Sequence, residues 1–114
     1  MDYHIDAKGK KLGRLATEIA MILQGKKSAK YDPRLVGDDK VFLSNYKDIL
    51  VTDVKGVDKK YHRHTGYMGH LRTLSFDQKF TKDPQRFIWD TVRHMIPKNF
   101  LNQKRRKNLI FVEK

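Results

Sequence analysis

The chain has 114 residues, enough for one compact domain with a real core and too few for two ordinary ones. It contains no cysteine, which excludes disulfides, thiolate metal sites and a cysteine nucleophile and fits a reducing cytosol, and it contains no apolar run of about 18 residues to cross a membrane. Lys and Arg number 25 against 13 Asp and Glu, a formal net charge of +12 that points to a polyanionic partner.

The amino terminus, "MDYHIDAKGK", lacks the apolar core of a secretion signal. Tyr3 to Ile5 reads as a short strand ending in a polar turn. In "KLGRLATEIAMILQGK", Leu12, Leu15, Ala16, Ile19, Ala20 and Leu23 recur at helical spacing and form one apolar stripe, with Gly25 as the stop. Arg14 and Glu18, four apart, are positioned to pair on the surface of that helix. "KSAKYDPRLVGDD" is a loop by its Pro33, Gly37 and acidic turn, and Val41 to Leu43 has the apolar run of a buried strand. Strand, helix and strand joined this way predict a parallel crossover unit.

"DILVTD" (48–53) and "KKYHRH" (59–64) are further strand candidates. A short helix is expected behind Ser75, and Asp83 followed by Pro84 marks a second start, N-cap and then first helical position. From there Phe87, Ile88, Val92, Met95 and Ile96 share a face, Trp89 packs beside them, and Pro97 ends the helix. "NLIFV" (108–112) closes the chain as a strand. The sum is one α/β domain over residues 1–114, without internal repeats or a low-complexity linker.

Charge is unevenly spread along this framework. No acid lies between Asp58 and Asp77 or between Asp90 and Glu113, while each block carries several Lys and Arg. Acid-free basic blocks are the electrostatic footprint of nucleic-acid binding. The histidines of "HRHTGYMGH" (62–70) do not make a metal site, because Arg63 and Arg72 bracket them and no carboxylate is near to balance a cation. "QGKKS" (24–28) is a faint match to a phosphate-binding loop but has Ala20 at the earlier glycine position and follows a helix rather than opening one. There is no Gly-x-Ser-x-Gly and no acid close in sequence to orient a histidine, so nothing asks for catalysis. Arg and Lys to neutralise phosphates, glycines for close backbone approach and Tyr or His rings to stack on bases are the residue types of an RNA binder.

Five segments in order, "IDAKGKKLGRLATEIA" (5–20), "LQGKK" (23–27), "VFLSN" (41–45), "KYHRHTGYMG" (60–69) and "MIPKN" (95–99), resemble the bacterial type of the large-subunit ribosomal protein L-thirteen family over nearly the whole chain. The resemblance implies a three-layer α/β/α domain with a small, mostly parallel four-stranded sheet. It also implies a structural protein that binds large-subunit ribosomal RNA, supports early subunit assembly and contacts neighbouring large-subunit proteins. No enzyme activity, cofactor, metal, membrane or small-molecule substrate is expected, and the location is the large ribosomal subunit in the cytoplasm. The alternative reading is a small RNA-acting or nucleotide-using α/β enzyme, and a third is a free-standing nucleic-acid regulator. The family's amino-terminal arm is expected to be missing and the carboxyl tail short. Met68 and His70 stand where the family often has proline and glycine, and His94 where it has glycine.

The expected RNA-binding residues form four groups. Lys8, Lys10, Lys11 and Arg14 lie at the first helix start, and Lys26, Lys27 and Lys30 follow that helix. Lys59, Lys60, His62, Arg63, His64, Tyr67 and Arg72 belong to the glycine-bearing loop and its flanks. Lys98, Asn99, Lys104, Arg105, Arg106 and Lys107 make the last patch. Phosphate contacts position without reading sequence, so specificity is expected to come from RNA shape.

Overall fold

The computed structural model describes residues 1–51, 56 and 58–113. Strand β1 (Asp2–Asp6) leads into helix α1 (Leu12–Leu23), and β2 (Lys40–Ser44) follows the long loop. A 3₁₀ turn over Tyr46–Asp48 comes next, then β3 (Lys60–His64), β4 (Leu71–Ser75), α2 (Phe76–Lys82), α3 (Pro84–Met95), α4 (Leu101–Arg106) and β5 (Leu109–Val112).

β1, β2 and β5 form a parallel sheet in the order β1-β2-β5, with Ile5 beside Leu43 and Val41 beside Leu109. The strand order never reverses, and right-handed crossovers then put both connecting helices on one face. α1 and α3 do pack against each other, and their apolar stripes meet Ile5, Val41, Leu43 and Leu109 in one core. Each fully buried Leu or Ile here, such as Leu15, Ile19 or Ile88, contributes on the order of 1.5–3 kcal/mol. The opposite face carries His4, Phe42, Ser44, Ile110 and Val112, exposed or half-buried, with His4 stacked on Phe42 at 5.0 Å.

The α/β class and the parallel crossover are as expected, and the layer details are corrected. Among the described residues the sheet has three parallel strands rather than four, and both long helices share one face rather than enclosing the sheet. The expected strand at "DILVTD" is partly replaced by the 3₁₀ turn, Leu50 makes a single parallel bridge to Lys11, and residues 52 and 53 lie outside the described residues. β3 is present, but it pairs antiparallel with β4 in a separate two-stranded ribbon.

Local chemistry fixes the helix ends. Gly25 at φ +77° closes α1: its N–H reaches the Ile22 carbonyl and that of Lys26 reaches Met21, the two bonds of a Schellman cap. Ser75 and Gln78 exchange side-chain-to-backbone bonds as a capping box on α2. The Asp83 carboxylate accepts the Arg86 N–H ahead of Pro84 and so caps α3.

Candidate nucleic-acid interface

A two-stranded ribbon is marginal by itself and needs an anchor. Tyr61 supplies it by meeting the Phe87 ring edge-on at 5.7 Å, within a cluster that adds Phe76 and Phe80. Beyond that anchor every residue from His62 to Leu74 is exposed, so the ribbon stands clear of the body. Its register sets Arg63 directly opposite Arg72, on the same side as Tyr61 and Leu74. Like charges facing across a pair oppose strand association. Neither arginine has a carboxylate within 4 Å among the described residues.

The tip is organised by backbone bonds. Gly66 and Gly69 take φ of +90° and +74°, values that side chains on Cβ disfavour. The Thr65 N–H donates to the His70 carbonyl and the His70 N–H to the Tyr67 carbonyl. His70, whose ring meets Tyr67 edge-on at 6.3 Å, thus closes the turn through its main chain. His64 Nδ1 accepts the Gly66 N–H at 2.9 Å, and His62 Nδ1 lies 3.0 Å from Thr73 Oγ1. These rings shape the ribbon, and no cluster of three metal-ligating side chains occurs among the described residues. Tyr67 and Met68 project at the tip, 75% and 97% exposed. Lys59 and Lys60 sit at the ribbon's base, where Lys79 joins them with its ammonium 4.4 Å from the centre of the Tyr61 ring.

The turn into α1 is a second basic site. Lys8, Lys10, Lys11 and Arg14 are all exposed around the first turn of α1, which has no acidic residue and no side-chain cap. Unpaired helix N–H groups among cations favour an anion there. The Lys8 N–H and the Asn45 amide donate to the Asp6 carboxylate and hold its pKa below the usual value, which folds the turn. Glu18 pairs with Lys10 at 3.4 Å rather than with Arg14 as expected, and the pair is exposed and weak. Lys26, Lys27 and Lys30 are exposed at the other end of α1, roughly 18 Å away for a 12-residue helix. Lys27 lies 5.3 Å over the Tyr3 ring and Lys26 6.0 Å over Tyr31.

The last patch is reordered by α4. Lys98, Lys104 and Lys107 are exposed, whereas the Asn99 Oδ1 accepts the Leu101 N–H and stabilises the start of α4. Arg105 is the clear correction. It is 2% exposed, and it donates from Nη2 to the Leu35 carbonyl at 3.2 Å and from Nε to Val36. Its guanidinium ties α4 to the loop before β2 and faces no solvent phosphate. Arg106 lies over Trp89, 5.9 Å from the ring. Lys79, Arg86 and Arg93 are basic residues outside the expected binding groups. Only Arg93 carried a signal, its place in the second acid-free block.

A family model described as "Ribosomal protein L13" matches residues 1–114. The large ribosomal subunit protein uL13 of Alkalilimnicola ehrlichii is 43% identical over 107 residues, covering 94% of this chain and 75% of the relative. That of Hahella chejuensis is 44% identical over the same shares. That of Xanthomonas campestris pv. campestris is 45% identical over 101 residues, 89% of this chain and 71% of the relative.

Proposed function

The chain belongs to the ribosomal protein L13 family, and from that premise we propose that it binds large-subunit ribosomal RNA through the β3–β4 ribbon and the two ends of α1. The family is one of ribosomal structural proteins and not of enzymes, so the chain is a structural protein of the large ribosomal subunit. The observation that carries the RNA reading is Arg63 facing Arg72 on the ribbon, with no carboxylate within 4 Å of either among the described residues. That arrangement is unfavourable for the isolated fold and favourable against phosphates, whose neutralisation releases counterions.

The mechanism is electrostatic and geometric. The aromatic anchor holds the ribbon rigid, the glycine turn presents Tyr67 to unpaired bases, and the start of α1 receives a second phosphate segment. Because the two ends of α1 are roughly 18 Å apart, one molecule bridges RNA segments and fixes their relative placement. This is the physical basis for a role in early assembly in the cytoplasm, beside neighbouring large-subunit proteins.

A salt titration of the full chain binding to a large-subunit ribosomal RNA transcript tests the reading. The expected result is an affinity that falls linearly on logarithmic axes with a slope of several units. A nearly flat slope, or a salt-stable free pool of the protein that never sediments with large subunits, would refute it.

A further inference from the structure

We propose that a groove between α3 and the edge strand β5 is a separate binding site for an RNA phosphodiester segment. The inference rests on the RNA-binding reading above and adds a contact site to it. The groove encloses about 670 Å³ and is lined by Arg86, Trp89 and Arg93 of α3, by Arg106 at the end of α4, and by Leu109 and Phe111 of β5. Arg86 and Arg93 are seven apart on α3 and therefore lie along one face, two turns from each other, with Trp89 between them. Trp89 forms the floor at 6% exposure, and Arg106 reaches over it from the opposite wall.

Three exposed arginines thus converge on one concavity, and none has a carboxylate within 4 Å among the described residues. Two acids also line the groove and reduce its formal charge to +1, but neither forms an ion pair with the arginines. Asp83 is engaged in capping α3, and Asp90 is half-buried on the turn between Arg86 and Arg93 without pairing to either. Guanidinium groups match phosphate oxygens in forked geometry, so spaced arginines in a groove suit successive phosphates of a strand. The volume is in the range of ligand sites, large enough to seat nucleotide-sized groups. An acidic protein segment presents the same charge sign but belongs to a different partner class. The +12 chain in a family of ribosomal proteins favours RNA.

Trp89 is the only tryptophan of the chain, so its fluorescence reports on this groove alone. The experiment titrates the full chain with a large-subunit ribosomal RNA transcript while recording Trp89 emission and, in parallel, the salt dependence of affinity. The double variant Arg86→Gln/Arg93→Gln replaces exposed side chains and keeps the fold, which circular dichroism verifies. It is expected to lose the Trp89 response and to flatten the salt slope by about two units. Arg86→Lys/Arg93→Lys keeps the charge and is expected to restore the slope. Arg63→Gln/Arg72→Gln at the ribbon is expected to flatten the slope while keeping the Trp89 response at saturation.

If the groove variant binds with unchanged slope while the ribbon variant does not, the groove assignment is wrong and the RNA reading stands. If the native chain shows no salt-dependent RNA binding at all, both fail. A Trp89 response to a polyglutamate peptide and none to RNA would assign the groove to an acidic protein segment and overturn the proposal.

Discussion

Arg63→Gln should push stability and RNA affinity in opposite directions. Arg63 and Arg72 form a direct cross-strand pair, and both side chains are exposed. Two unit charges about 7 Å apart in water repel by roughly 0.6 kcal/mol at low salt, and screening cuts this substantially at physiological ionic strength. Removing one charge therefore stabilises the free protein by a few tenths of a kcal/mol, or about 1–4 °C in Tm for a domain of this size. Glutamine is shorter but keeps the Cβ–Cγ–Cδ stem, and the site is exposed, so packing on the strand changes little. Urea unfolding of Arg63→Gln, Arg72→Gln and the double variant, at 20 mM and 0.5 M salt by design on the order of the screening limits, isolates the pair term as a cycle. Each single variant should gain about the same amount at low salt, the double variant no more than either, and the gain should vanish at high salt. RNA affinity should fall for each single variant, with the salt slope reduced by about one unit. A single variant that is less stable than the native chain at low salt, or an unchanged slope, would refute the reasoning.

Other substitutions separate structural from RNA-facing cations and test the caps. Arg105→Ala should destabilise by about 2–4 kcal/mol, because it empties a buried site and leaves the Leu35 and Val36 carbonyls without their donor. At a temperature where the variant is folded its RNA salt slope should equal the native one, and a reduced slope would show Arg105 on phosphate after all. Asp83→Ala removes the α3 cap and should cost about 1 kcal/mol by chemical denaturation, with loss of less than 0.3 kcal/mol counting against the cap. Asp6 has a lowered folded-state pKa, so its contribution is present above the ordinary aspartate value of 3.8 and is lost as pH falls through the lower folded value. Asp6→Asn should therefore flatten the acid limb of the stability–pH curve, and an unchanged limb would mean that the Lys8 and Asn45 bonds do not form in solution.

Elements that bury a periodic face were legible in the sequence. The α1 stripe, the Asp83–Pro84 start of α3 and the "NLIFV" strand all turn one apolar side to the core, and burial enforces the pattern. β4 was not legible: Leu71 to Leu74 are exposed on both faces of the ribbon, so no alternation of burial marks the strand. α4 is six residues of mostly polar sequence held by the Asn99 bond and the burial of Leu101, signals too local for periodicity. Arg105 could not be told from Lys104 and Arg106 in the run, since what distinguishes it is a pair of loop carbonyls some 70 residues earlier. The Arg86–Arg93 face looks in the sequence like any solvated polar side of an amphipathic helix. The groove wall opposite it is β5, which only the fold brings near.

The central claim is that the β3–β4 ribbon lies against ribosomal RNA in the assembled large subunit. Mapping of ultraviolet crosslinks between peptide and RNA in salt-washed large subunits tests it most directly. The account predicts that this chain is retained and that the peptide spanning Lys60 to Arg72, with Tyr67 at its tip, carries RNA adducts. A retained chain whose ribbon peptide is free of RNA and fully open to solvent labelling would contradict it.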